Sequence, residues 1–104
     1  MGYQVTASIT AENTFSSAIK ITGQANFTLS GTWSATASLQ RTRNGTNANP
    51  TWDDVTDESG GVLTWTGNVT AIINEPADSP DVLYRFGVKT GNFTSGTLVG
   101  EIRQ

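Results

Sequence analysis

The chain is 104 residues long, enough for one hydrophobic core and too short for two. Its formal charge is −3 with no run of Lys or Arg, which argues against a nucleic-acid partner, since clustered cations release counterions from a phosphate backbone. It contains no Cys and no His, so disulfides, thiolate or histidine metal sites and Ser-His-Asp or Cys-His catalysis are excluded.

The polar residues are mostly Thr, Ser, Asn and Gly, which suit turns and exposed strand faces and are poor helix formers. Along residues 3–10, Tyr3, Val5, Ala7 and Ile9 alternate with Gln4, Thr6, Ser8 and Thr10, the period of a strand. Residues 1–10 therefore read as an edge strand of the domain or as an extended N-terminal arm able to add a strand to a neighbour. Tyr3 and Val5 are the candidate contacts in that run. Residues 11–17 read as a loop carrying Phe15, and 18–22 as a short strand with Ile19 and Ile21 on one side. After Gly23, residues 24–30 place Phe27 and Leu29 on one face, and Gly31 closes the run.

Residues 32–42 form the cleanest upstream strand, with Trp33, Ala35, Ala37, Leu39 and Arg41 on one face. Asn44-Gly45 begins a turn over 43–50, because both residues tolerate positive φ, and 51–56 then supplies a partner strand containing Trp52. A second turn over 57–61 leads to 62–66, with Leu63 and Trp65 alternating, and to a short strand over 69–73. Pro76 and Pro80 stiffen an acidic loop over 74–81, since neither can donate to a ladder. In the last quarter, 82–90 and 97–103 alternate around Gly91-Asn92 and Ser95-Gly96, and the two runs are expected to fold on each other as a hairpin.

No helix-period segment interrupts this series. The expectation is a single immunoglobulin-like β-sandwich of seven to eight short antiparallel strands over residues 1–104, with a small closed barrel as the alternative. The sandwich is favoured because Tyr84 follows a long connection early in the penultimate strand, the place of a tyrosine corner, although an ordinary core aromatic reads the same. Trp33, Tyr84 and Phe86 are taken as structural. No basic and apolar leader pattern precedes residue 10, so no signal peptide is expected, and no apolar run approaches the roughly 20 residues of a membrane span.

The remaining candidates for chemistry are carboxylates and indoles. Asp53, Asp54, Asp57 and Glu58 form one cluster and Glu75, Asp78 and Asp81 another, yet neither follows a calcium-loop spacing, and turn acids are ordinarily solvated. A glycosidase pair would need two carboxylates facing across a cleft. No catalytic residue, cofactor or metal ligand is therefore assigned. Trp33, Trp52 and Trp65 could stack sugar rings, but Trp33 and Trp65 alternate with apolar neighbours as core residues do, leaving Trp52 as the open candidate. The four Asn-x-Ser/Thr triplets at Asn26, Asn44, Asn68 and Asn92 are discounted, as a chain rich in Asn and Thr makes them by chance.

The stretches GTWSATASLQRTRNGT (31–46), TWDDV (51–55) and LYRFGVKTGNFTSGT (83–97) resemble small immunoglobulin-like proteins encoded among the virion genes of tailed bacteriophages. The resemblance spans residues 31–104 and implies a non-enzymatic structural protein of the virion. Within that setting the expected role is a capsid decoration, or cement, protein bound in many copies outside the head, made in the host cytoplasm. Its partners would be the major capsid protein or copies of itself, with a homotrimer natural at threefold positions. Neither nucleic acid nor membrane is expected as a partner. The alternative is a tail- or fibre-associated module that binds host-surface carbohydrate through Trp52.

Overall fold

A computed structural model describes residues 4–56, 59–75 and 81–104. Tyr3, Asp57, Glu58, Asp78 and both prolines of the acidic loop lie outside the described residues. The strands are β1 (Gln4–Ile9), β2 (Thr14–Phe15), β3 (Ile19–Lys20), β4 (Gly23–Thr42), β5 (Asp53–Asp54), β6 (Thr64–Trp65), β7 (Val69–Glu75) and β8 (Leu83–Arg103). All pairings are antiparallel. The class is all-β, and the eight strands among the described residues fall within the expected seven to eight.

Two of the strands are not short. β4 has 20 residues and β8 has 21, and they pair from Asn26 opposite Arg103 to Thr42 opposite Leu83. Every other strand attaches to this ribbon. β1 lies along the C-terminal half of β8 and β7 along the N-terminal part of β4, which makes a first layer in the order β1-β8-β4-β7. β2 and β3 lie along the N-terminal half of β8, and β5 and β6 along the C-terminal part of β4, which makes a second layer.

The ribbon is bent so that the two layers face each other. Phe27 pairs with Ile102 in the first layer and Phe86 with Leu39 in the second. A straight strand rising about 3.3 Å per residue would carry residues 27 and 39 roughly 40 Å apart. That exceeds the longest dimension of the molecule, 36 Å, yet the rings of Phe27 and Phe86 are 5.5 Å apart. Strands that pass from one layer to the other through a bend are how such sandwich corners are made.

The expected C-terminal hairpin is thus corrected: runs 82–90 and 97–103 are successive lengths of β8, each paired with β4 rather than with the other. Gly31 likewise does not separate two strands. Gly31 (φ 97°) lies opposite Leu98 and Gly96 (φ 91°) opposite Trp33, so the glycines that signal a reversal sit where the paired ribbon turns its corner. A Cβ on Gly31 would come within 2.6 Å of the Thr97 carbonyl oxygen, and one on Gly96 would overlap the Thr32 carbonyl and the Trp33 backbone. Register shifts around Ala35 add local twist at the same place.

The core fills the space between the layers. Inward positions alternate as Ala25, Phe27 and Leu29 in the first half of β4, and as Leu98 and Ile102 in β8, against Leu39, Tyr84, Phe86 and Val88 of the second layer. Phe27 is flanked by Phe86 and by Trp65, whose ring meets it edge-on at 5.0 Å. Gly100 supplies the space for the Phe86 ring, which a Cβ there would strike. Each of these buried Phe side chains contributes about 1.5–3 kcal/mol by leaving water. β1 belongs to this core: Ile9 is buried and Val5 and Ala7 pack against the cluster, so residues 4–9 are an edge strand of their own domain.

Candidate functional site

Among the described residues no ladder joins the two layers at either margin, neither β1 to β2 or β3 nor β7 to β5 or β6, so the sheet does not close into a barrel. A two-lobed cleft runs between β7 and the β5–β6 margin.

The polar lobe has a volume of about 460 Å³ and is built around Arg41, Glu75 and Tyr84. Arg41 continues the inward series Ala37, Leu39 in β4, and Glu75 continues Ala71, Ile73 in β7. Their strands belong to opposite layers here, since Arg41 pairs with Tyr84 and Glu75 with Gly23. The ion pair therefore ties the layers together. The Arg41 guanidinium donates to both Glu75 oxygens, Nε to Oε1 at 2.5 Å and Nη2 to Oε2 at 3.0 Å. The Tyr84 hydroxyl donates to the same Oε1 at 2.8 Å. Glu75 is 1% exposed, and three donors satisfy the carboxylate that burial would otherwise penalise.

These contacts fix the proton positions. The Glu75 hydrogen bond raises the Arg41 pKa against the opposing effect of partial burial. Burial, aided by the hydrogen bond to Glu75, pushes the Tyr84 phenol far above its ordinary value. With the phenol held protonated and the carboxylate committed to donors, the arrangement acts as a latch between layers. A tyrosine corner sends its hydroxyl to backbone upstream. Tyr84 instead reaches a side chain on the facing layer.

The second lobe, about 410 Å³, is apolar and is lined by Phe27, Leu39, Leu63, Trp65, Ala71 and Ile73. Beside it, Ile72 is 68% exposed on the outward face of β7, and Val62, bridged to Thr56, is 50% exposed. Sequence reasoning missed this cleft. Two signals pointed to it: a charge at each end of an otherwise apolar alternation (Arg41, Glu75), and two successive isoleucines in β7, of which only one can face inward.

The candidates named from sequence are not gathered together. Val5 points inward from β1, and Tyr3 is not described. Trp52 lies on the outer face of the second layer, where the Arg85 guanidinium is held over the Trp52 ring at 4.4 Å and over the Phe15 ring at 4.2 Å. Arg85 Nε donates to Gln40 Oε1 at 2.8 Å, and Gln40 and Lys89 both donate to Asp54, Lys89 at 2.5 Å. Burial lowers the Arg85 pKa, and the Lys89 hydrogen bond holds the Asp54 carboxyl below its ordinary value. Trp33 is half-buried against the core with its Nε1 donating to Asn68 at 2.8 Å, and Phe86 is fully buried.

Among the described residues no group of three or more acidic side chains is placed to hold a metal ion. No known protein family, curated protein or solved structure matches the chain.

Proposed function

We propose that the protein is a non-enzymatic structural protein of a tailed-phage virion, a decoration protein that binds the outside of the capsid and reinforces it. The cleft between β7 and the β5–β6 margin is the shell-facing surface in this reading. One observation carries it: the exposed large hydrophobics Ile72 and Val62 stand beside an apolar cleft, while the indoles that a sugar-binding module would present are engaged elsewhere. Trp52 stacks with Arg85, Trp33 is tied to Asn68, and Trp65 packs edge-on to Phe27. A decoration protein stabilises its shell by binding the assembled form in preference to free subunits, and burial of apolar surface across subunit junctions supplies the affinity.

The test is co-sedimentation with undecorated capsids, set beside binding to a panel of host-surface glycans. Saturable capsid binding that Ile72→Asp abolishes, with the fold intact by circular dichroism, is the expected result. Glycan binding without capsid binding would overturn the proposal in favour of a tail or fibre module.

A further inference from the structure

The strand edges of the two layers differ. In the second layer the margins are made by two-residue strands, β2 and β3 on one side and β5 and β6 on the other, and such short pieces offer little to an incoming strand. In the first layer both margins are long. β7 borders the cleft described above. β1, at the opposite margin, has β8 as its sole ladder partner among the described residues, and its register runs without a bulge from Gln4 opposite Arg103 to Ile9 opposite Leu98. Among the described residues the strand itself, QVTASI, carries no charge, proline or bulge of the kind that blunts an edge.

We infer that β1 is a self-docking edge: two copies of the chain pair through antiparallel β1 strands, continuing the first layer across a twofold axis. The chemistry of the strand selects a second copy over a charged partner. The outward row is Gln4, Thr6 and Ser8, all exposed and each able to donate and accept hydrogen bonds. Such a row is complementary to itself. The nearest ionic groups on that face, Glu101 and Arg103, are one strand further in, opposite Thr6 and Gln4, and pair with each other at 3.3 Å, so copies meeting at β1 bring no like charges into contact.

The period of two restricts the register. Outward residues stay outward across the axis when Thr6 lies opposite its own copy, which sets Val5 against Ala7 and Gln4 against Ser8 of the second molecule. This inference goes beyond the shell-binding proposal and holds without it. The two surfaces are compatible, because β1 and β7 lie at opposite margins of the layer, three strand spacings or roughly 14 Å apart. A six-residue edge is a small interface, so the dimer is expected to be concentration-dependent and to gain from crowding of copies on one particle.

The chain has no Cys, so a single introduced thiol reports the geometry cleanly. Directly opposed residues in an antiparallel pair have Cα atoms about 4.5–5.5 Å apart, within the span of a disulfide. Under mild oxidation Thr6→Cys is expected to give a disulfide-linked dimer, whereas Thr70→Cys, on the same outer face at the opposite margin, gives none. In sedimentation equilibrium the unmodified protein should dimerise reversibly, Thr6→Lys should weaken the dimer at least about tenfold by setting like charges opposite each other, and Thr70→Lys should leave it unchanged. A protein that stays monomeric at the highest soluble concentration, or a dimer indifferent to Thr6→Lys with no Thr6→Cys crosslink, overturns the inference.

Discussion

Glu75 is the residue on which the second layer is fastened to the first. Its carboxylate takes two hydrogen bonds from Arg41 and one from Tyr84 while almost wholly withdrawn from water. Removing one partner of such a pair leaves the other charge poorly solvated, and Glu75→Ala is expected to cost about 3 kcal/mol in denaturant unfolding, because Arg41 keeps some access to water. Tyr84→Phe deletes only one donor and should cost about 1 kcal/mol. The phenol also gives the fold an alkaline limit. Its folded pKa lies above the ordinary value of 10.0, so its contribution is complete below that pH and is lost as pH rises beyond it, when the unfolded chain alone releases the proton. Unfolding midpoints should fall above about pH 10, and less so in Tyr84→Phe. Asp54 works at the other end of the scale. Its pKa is depressed, so its contribution holds above the ordinary 3.8 and is lost as pH falls, and it is small because Lys89 is 38% exposed. Trp52→Ala removes one of the two rings that the Arg85 guanidinium lies over and leaves Phe15, so the variant should fold with a loss of about 1 kcal/mol and no change in partner binding.

At the scale of elements, the bent β4–β8 ribbon decides the architecture, and its small residues are set by contact. Gly100 lies directly beneath the Phe86 ring, so Gly100→Ala overpacks the core and is expected to destabilise by about 1–3 kcal/mol, read as a lower melting temperature. Gly96→Val should be worse than Gly100→Ala, since it adds a β-branched side chain at positive φ against the Thr32 carbonyl. The inward faces were legible in the sequence because alternation reports which side of a strand is apolar: Phe27 and Leu29, Leu39, Phe86 and Leu98 all point where the pattern put them. The continuity of the ribbon was not. A glycine with positive φ serves a tight reversal and a sheet corner equally well, and only the long-range register of Gly31 against Leu98 and Gly96 against Trp33 separates the two. Trp52 illustrates the same limit in a side chain: the alternation left its exposure open, because the guanidinium that covers it comes from residue 85, and no local pattern carries that pairing. The cleft was hidden for a related reason. Arg41 and Glu75 each look like an interruption of an apolar series until the bend brings the two layers face to face.

At the scale of the whole molecule, two surfaces of different character lie at opposite margins of one layer. The β7 margin carries the exposed Ile72 and the cleft proposed to face the shell, and the β1 margin carries the uncharged edge inferred to join copies. Between them the outward face of the layer is polar, with Glu101, Thr28 and Thr70 in one cross-strand row. A protein so arranged can occupy a lattice and contact its neighbours without using the same residues twice. The measurement that tests this account most directly is a difference map between electron cryomicroscopy reconstructions of undecorated capsids with and without the added protein. Extra density is expected at regular positions on the outer shell, with β7 and the cleft toward the capsid and β1 turned away from it. Density confined to the tail, or none on the head at saturating protein, would contradict that expectation.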